Sequence, residues 1–395
     1  MGNVERCDKT LPTNEMIYHV RRDAALRARF LTDLEGIARE FGLSRAEYEA
    51  VRDKDPKRMM DLGVHQYYVP QILRLFFGAA HNSNASAALE CYQRAFPEET
   101  AKAMALQARL ERGRVMAEIV AAMAMTHSPG LTGWFSRASQ EYQQLALQAT
   151  AEMRRRLVAA RPDVVVMFSN DHLLNWPINN VPEYTVGIAE EHVGPAEWFD
   201  EWLAMEKYRV PGHPGIARWL VNEGARRRLA LSYLREMQYD DGISVPTHYL
   251  NPDAQFQLVP VTMNCTVPPI PTPERAYQVG TIMRDMLKDY PGNERVAVVA
   301  TGGLSHEPGG PRYFWVDEEF DRWFLDLLKR GDHATLLREC TLERMEEAGS
   351  GGTAELLAWV LVMAFTRGPA DVLAYMPAVA WRSGTGMVVW NEMVR

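Results

Sequence analysis

The stretch PDVVVMFSNDH (162–172) decides the architecture of most of this chain. Val164–Phe168 is apolar at every position, which is how a strand buried on both faces of a sheet reads. The run then breaks into Ser169-Asn170-Asp171-His172, polar residues suited to the rim of a sheet. Two further runs repeat this form. Ile119–Met125 leads into Thr126-His127-Ser128-Pro129, and Val296–Ala300 into Thr301-Gly302-Gly303-Leu304-Ser305-His306. Between them lie helical patterns, Phe135–Ala159 and Ile216–Met237. Helices alternating with buried strands predict an α/β domain over residues 115–395, a mixed sheet flanked by helices.

Upstream the grammar is helical. Phe30, Leu31, Leu34, Ile37 and Ala38 recur at helical spacing, Phe41-Gly42 ends that run, and Ser44 to Glu47 forms a capping-box pattern. Pro56 opens a further helix, whose continuation carries Tyr67, Tyr68, Ile72, Leu73 and Leu75 on an apolar side. Residues 1–80 therefore read as a small all-α domain, and 81–114, with Asn82-Ser83-Asn84 and the charged helix Glu98–Arg112, as a connecting segment. A helical unit this short buries a thin core. It is expected to lean on the larger domain as a lid over the site mouth, with Arg58, His65, Tyr67 and Tyr68 near its apolar face.

Over 395 residues, 43 Lys+Arg against 51 Asp+Glu give a net charge of −8. With no long basic run, nucleic acid and anionic membrane are excluded as main partners. Cys7, Cys91, Cys265 and Cys340 lack CxxC spacing, so neither a zinc ribbon nor a disulfide framework is indicated. Leu356–Phe365 is too short to span a bilayer, and MGNVERCDKT has no signal-peptide core. The expectation is a cytoplasmic protein acting on a small molecule.

Ligands of open α/β sheets bind beyond the carboxyl ends of strands, so His127, His172 and His306 are expected on one rim. A single such His reads first as a hydrogen-bonded structural imidazole; three in the same position point to a site. Neutral imidazoles that hold a metal need an anionic partner. Ser350-Gly351-Gly352-Thr353-Ala354-Glu355 leads into a helix apolar on every side, and a carboxylate there must be paired, protonated or metal-bound. The alternative is a first-turn acid on the helix dipole with Thr353 as N-cap. Two His and one carboxylate make the facial triad of non-haem Fe(II) oxygenases.

Together these segments resemble the type II extradiol dioxygenases of the protocatechuate 4,5-dioxygenase kind. MAMTHSPG (123–130), PDVVVMFSNDH, VPEYTVGIAEE (181–191), GHPGIARWL (212–220), TGGLSHEPGGPRYFWVDEEFD (301–321) and GSGGTAELLAWVLVM (349–363) carry the large-subunit pattern. Residues 30–68 carry the helical small-subunit pattern. The small subunit is fused upstream of the large one, an order that differs from some fused relatives. The resemblance implies His127, His172 and Glu355 as ligands of Fe(II), His306 as acid/base, extradiol opening of a catechol-like or hydroxylated nitrogen-bearing aromatic ring with O2, and a homodimer. An imidazole with an unperturbed pKa near ~6.5 serves both proton directions near neutral pH.

One departure stands out. The family commonly has Asp-His-Gly ahead of a Val-Pro pair, whereas this chain reads Asp240-Asp241-Gly242 before Val245-Pro246. Asp241 replaces a histidine that holds the hydroxylated ring. A carboxylate there favours a ring presenting N–H, so Asp241 is expected both as a catalytic residue beside His306 and as a substrate contact, with Tyr67 and Tyr68 of the lid as further substrate contacts. His248 is a candidate to compensate, with an outward His as its plain reading. Of Trp176, Tyr184, Trp198, Phe199 and Trp202, one or two are expected at the site. Gly302-Gly303 and Gly309-Gly310 match no phosphate-loop motif, and Ser305 lacks a complete GxSxG elbow because Glu307 stands in the last position. The alternatives are a relative using the triad for non-oxidative hydrolysis or C–C cleavage, and a metal-free binding protein.

Overall fold

The computed structural model describes residues 7–78, 87–111 and 116–394. The chain divides into two compact units, Met1–Arg114 and Val115–Arg395.

The first unit is helical. Helices Pro12–Arg22, Ala24–Phe30, Leu34–Glu40, Arg45–Arg52, Pro56–Asp61 and Val69–Phe77 enclose a core of Met16, Ile17, Val20, Phe30, Ile37, Val51, Met59, Ile72 and Leu73. The capping box forms at Ser44 and Glu47. The run expected through Phe30–Ala38 is two helices, because Asp33 accepts from the peptide N of Gly36 and starts the second. Tyr67 and Tyr68 do not continue the helix that Pro56 opens. That helix stops at Asp61, Gly63 takes a left-handed φ of 102°, and a new helix begins at Val69-Pro70. Of the segment expected as a connection, residues 81–86 and 112–114, including Arg112 at the end of the expected helix, lie outside the described residues. Its remainder holds helices Ala87–Ala95 and Pro97–Glu111, with Ala88 and Cys91 buried and Tyr92 packed on the helical core.

The second unit is α/β. Its strands are β1 (Glu118–Met125), β2 (Val164–Asn170), β3 (Tyr184–Gly187), β4 (Glu191–Gly194), β5 (Tyr208–Pro211), β6 (Ser232–Leu234), β7 (Gln257–Met263), β8 (Arg295–Thr301), β9 (Ala370–Ala378) and β10 (Ser383–Trp390). Eight form one sheet in the order β6-β3-β7-β2-β8-β1-β10-β9, and β4 pairs with β5. The centre, β7-β2-β8-β1, is parallel, while β10 and β9 add antiparallel on one side and β3 runs antiparallel to β7 on the other. The sheet is mixed, as expected.

Side chains alternate across it. Ala122, Ala124, Val164, Val166, Val296 and Val298 face a layer containing helices Pro214–Arg226, Pro273–Lys288, Glu318–Arg330 and Leu357–Met363. Ala121, Met123, Val165, Met167, Ala297 and Val299 face helices Gln140–Ala160, Glu197–Leu203 and Asp241–Leu250. Both faces are covered, which is why the central runs are continuously apolar. The helical pattern expected over Ile216–Met237 stops at Arg226: Leu229 N returns to Gly224 O, Arg228 takes a left-handed φ, and the chain leaves as β6. Among the described residues, no helix is long and apolar enough to cross a membrane.

Candidate active site

β2, β8 and β1 are neighbours in the sheet, so the segments leaving their carboxyl ends share one rim. His127, His172 and His306 ride on those segments. Glu355 comes from a 3-10 turn, Thr353–Leu356, ahead of the buried helix. Thr353 does not cap that turn; its hydroxyl accepts from the peptide N of His306 at 3.3 Å. The helix-cap reading of this segment is thereby corrected.

Hydrogen bonds set the direction of each imidazole. The Thr301 hydroxyl gives its one hydrogen to Gly242 O at 2.8 Å, so it accepts from His127 Nδ1 at 3.1 Å. That leaves His127 Nε2 facing Glu355 Oε2 at 3.0 Å. His172 Nδ1 donates to Asp240 Oδ2 at 2.9 Å, and Asp240 also accepts from the peptide N of His172 at 3.0 Å and of Gly242 at 2.9 Å. His172 Nε2 then lies 3.1 Å from Glu355 Oε1. His306 Nδ1 donates to Leu304 O at 2.8 Å, which aims its Nε2 at the same carboxylate, 3.5 Å from Oε1. A Cβ on Gly352 would lie 2.7 Å from the His306 ring, so only glycine admits the imidazole there. Glu355 is 2% exposed and accepts further from Gly303 N at 2.8 Å and Asn170 Nδ2 at 3.1 Å.

Two imidazole nitrogens with their lone pairs inward, a carboxylate between them, and ligand atoms all within 4.8 Å of one another suit a divalent metal. Donors about 2.1 Å from a metal at right angles stand about 3.0 Å apart, close to the observed 3.0 and 3.1 Å. Without a cation the site must hold its charges by protons. Burial opposes the Glu355 charge, yet His127 and His306 hold its carboxyl well below the usual range. Burial likewise opposes a charged His172, but Asp241 and Asp240 carry it well above its ordinary value. A divalent metal held there would take the place of those protons.

Asp241 opens the helix Asp241–Leu250, is 4% exposed, and places Oδ1 3.2 Å from His172 Nδ1. Burial raises its pKa, with His172 and His127 opposing. Glu355, Asp240 and Asp241 thus bring three carboxyl groups to one centre. His248 is exposed and outside the cavity lining, so it does not stand in for the absent histidine.

The cavity beside this centre has a volume of ≈ 850 Å³. Trp198, Phe199 and Trp202 line it, three of the aromatic series rather than one or two; Trp176 instead bonds Thr185 Oγ1, and Tyr184 lies in the core. Sequence reasoning missed Trp134, Tyr313, Trp381 and Arg382, which also line it. Arg382 takes a left-handed φ of 63°, stacks over Trp134, Tyr313 and Phe314, and bonds the Tyr313 hydroxyl. Among the described residues no carboxylate lies within ion-pair distance of it. Ser305 is not in the lining: its hydroxyl donates to Asp321 and accepts from Asp317 N. In the helical unit, Tyr67 is 69% exposed and stacked on His65, and Tyr68 lies under Arg21.

The doubly covered sheet carries two histidines and a glutamate at its rim beside an aromatic cavity, the donor set that mononuclear sites of the facial-triad class use. Residues 121–384 match the family model described as the catalytic LigB subunit of aromatic ring-opening dioxygenase, and residues 13–89 match the LigA subunit of LigAB. The chain belongs to this family, with LigA-like and LigB-like parts fused in one polypeptide. A gallate dioxygenase of Pseudomonas putida is 32% identical over 156 residues, covering 39% of this chain and 45% of that protein. A 2,3-dihydroxyphenylpropionate/2,3-dihydroxicinnamic acid 1,2-dioxygenase of Pseudomonas putida is 29% identical over 194 residues, 49% of this chain and 58% of that protein. The chain spans about half the length of the curated relatives it matches.

Proposed function

We propose that this chain is an Fe(II)-dependent extradiol dioxygenase that opens a hydroxylated, nitrogen-bearing aromatic ring with O2. The observation that carries the reading is the convergence of His127 Nε2 and His172 Nε2 on Glu355, beside an aromatic-lined cavity. Fe(II), when bound, supplies the Lewis acidity and the oxygen activation that ring cleavage requires. His127, His172 and Glu355 hold it. Asp240 and Thr301 keep the two imidazoles in the ligating tautomer.

His306 lines the cavity with its Nε2 beside Glu355 Oε1, while its Nδ1 hydrogen is engaged by Leu304 O. It takes a proton from a ring hydroxyl and returns it later in turnover. Asp241 accepts a hydrogen bond from a ring N–H, since an ionised carboxylate accepts and cannot donate. Arg382 pairs with an acidic ring substituent; the names of both relatives denote carboxylated substrates. Trp134, Trp198 and Trp202 pack the ring and exclude water. Tyr67 and Tyr68 complete the proposed ring contacts, and the enzyme is proposed to work in the cytoplasm as a homodimer, on the family resemblance.

The test is anaerobic reconstitution with Fe(II), then O2 uptake and product absorbance with aminophenol carboxylates and dihydroxybenzoates. Stoichiometric O2 consumption with a coloured ring-fission product is expected. Turnover without O2 consumption would favour metal-assisted hydrolysis or C–C cleavage, and failure to retain iron would favour a binding protein.

A further inference from the structure

Asp321 lies on the first turn of the helix Glu318–Arg330 and is 0% exposed. Its helix neighbours Phe320, Phe324, Leu325, Leu327 and Leu328 are all buried apolar residues. Among the described residues no cation pairs with its carboxyl: Arg322 pairs with Glu318 and stacks on the Tyr375 ring. A carboxyl with no ion-pair partner in such a place is, even when hydrogen-bonded, a costlier occupant than an apolar side chain of similar volume. Stability therefore does not account for it.

What surrounds it is a loop that ends at His306. Oδ1 accepts from the peptide N of Ser305 at 2.7 Å, and Oδ2 from the Ser305 hydroxyl at 3.0 Å and the Tyr375 hydroxyl at 2.9 Å. The Ser305 hydroxyl accepts in turn from Asp317 N at 2.8 Å. Across the sheet edge, Leu304 N donates to Gly384 O at 3.2 Å and Gly384 N to Ser305 O at 3.0 Å. A Cβ on Gly384 would stand 1.9 Å from Asp321 Oδ2, so strand β10 approaches this carboxyl as closely as backbone can. Leu304 and Ser305 are thus tied by the 318–330 helix, β9 and β10 together.

Leu304 O is the acceptor that sets the tautomer of His306. We propose that Asp321 is a positioning residue for His306: by clamping Ser305 it holds Leu304 O where it fixes the imidazole with Nε2 toward the cavity. This rests on the reading of His306 as the acid/base. Asp321 does not line the cavity, so it acts only through the loop. A misplacement of a reacting group by about 1 Å costs on the order of 10²-fold in rate.

The experiment is a double-mutant cycle on the Fe(II)-loaded full chain, with Asp321→Asn, Tyr375→Phe and His306→Ala singly and in pairs. Iron content and the Kd of a non-turnover ring analogue are measured beside kcat and KM. Asp321→Asn is expected to lower kcat by about 10- to 100-fold, with iron content, analogue Kd and KM near wild type. It is expected to cost nothing further in the His306→Ala background. Tyr375→Phe, which removes one donor and leaves the carboxyl in place, is expected to show the same pattern at a smaller factor and serves if Asp321→Asn does not fold. The same fractional loss with and without His306 would overturn the proposal, as would unchanged kcat in both single variants. Wild-type turnover by His306→Ala would refute the acid/base reading itself, a result distinct from additivity.

Discussion

Replacing Asp241 with Asn keeps the size of the side chain while removing its charge and giving it a donor. Asp241 is 4% exposed and sits 3.2 Å from His172 Nδ1, so its carboxyl adjoins the proposed metal centre. Counting Glu355, Asp240 and Asp241 as ionised, three negative charges face one divalent cation, leaving the centre at −1 before any ring binds. A ring that binds as a dianion adds to that excess. Two like charges about 4 Å apart at an effective dielectric near 20 repel by about 4 kcal/mol, and relaxation leaves less. A ring N–H aimed at Asp241 replaces repulsion with a charge-assisted hydrogen bond, for which 1–3 kcal/mol is the usual order. The expected outcome is that wild type prefers an aminophenol-type ring to the matching dihydroxybenzoate, and that Asp241→Asn loses about 5- to 150-fold of this preference. The assay is kcat/KM for both rings in both proteins, since the ratio of ratios isolates transition-state discrimination from overall activity. Equal discrimination in the two proteins would refute the reasoning and leave Asp241 as a structural neighbour of His172.

Glu355→Ala, His127→Ala and His172→Ala are each expected to lose iron and activity together, with metal affinity down by at least ~10-fold, since even outer partners of a metal site cost that much; normal iron content in purified Glu355→Ala would sink the ligand assignment. Burial pushes the Asp321 carboxyl up to about 7, against hydrogen bonds from Ser305 and Tyr375, with Asp317 nearby adding to the rise. An acid whose pKa is raised on folding contributes stability that is complete below the unfolded value near ~4 and lost as pH climbs through the folded value, a span worth roughly 4 kcal/mol. The stability of wild type relative to Asp321→Asn should accordingly fall between pH ~4 and ~8 in urea titrations; a pH-independent difference would contradict the burial argument. Tyr67→Ala and Tyr68→Ala are expected to raise KM by about 5-fold, the scale of one hydrogen bond or stacking contact, with unchanged KM removing them from the ring site.

The strands that carry the centre were legible because burial on two faces leaves a local mark. Val164–Phe168 has no polar position, and neither has the central part of β8. The capping box at Ser44 was legible for a similar reason, since both of its hydrogen bonds close within one turn. The single-helix expectation over Ile216–Met237 failed at a spot where periodicity continues but the backbone does not. There Arg228 accepts a left-handed φ, and Leu229 closes back on Gly224, so tertiary context outweighs propensity.

The sequence by itself determined which residues form the buried strands, and hence the expectation that His127, His172 and His306 leave the same edge, because continuous apolar runs and strand-end polarity are encoded within a few residues. Only the tertiary structure decided what those residues face. The hydrogen bond from His127 to Thr301 joins positions 174 apart, that from His172 to Asp240 positions 68 apart, and the Asn170 to Glu355 contact positions 185 apart. Arg382 meets Trp134 in the same way, across nearly the whole α/β unit. Such contacts have no periodicity, because a hydrogen bond between layers depends on where two separate elements dock and not on the spacing within either one.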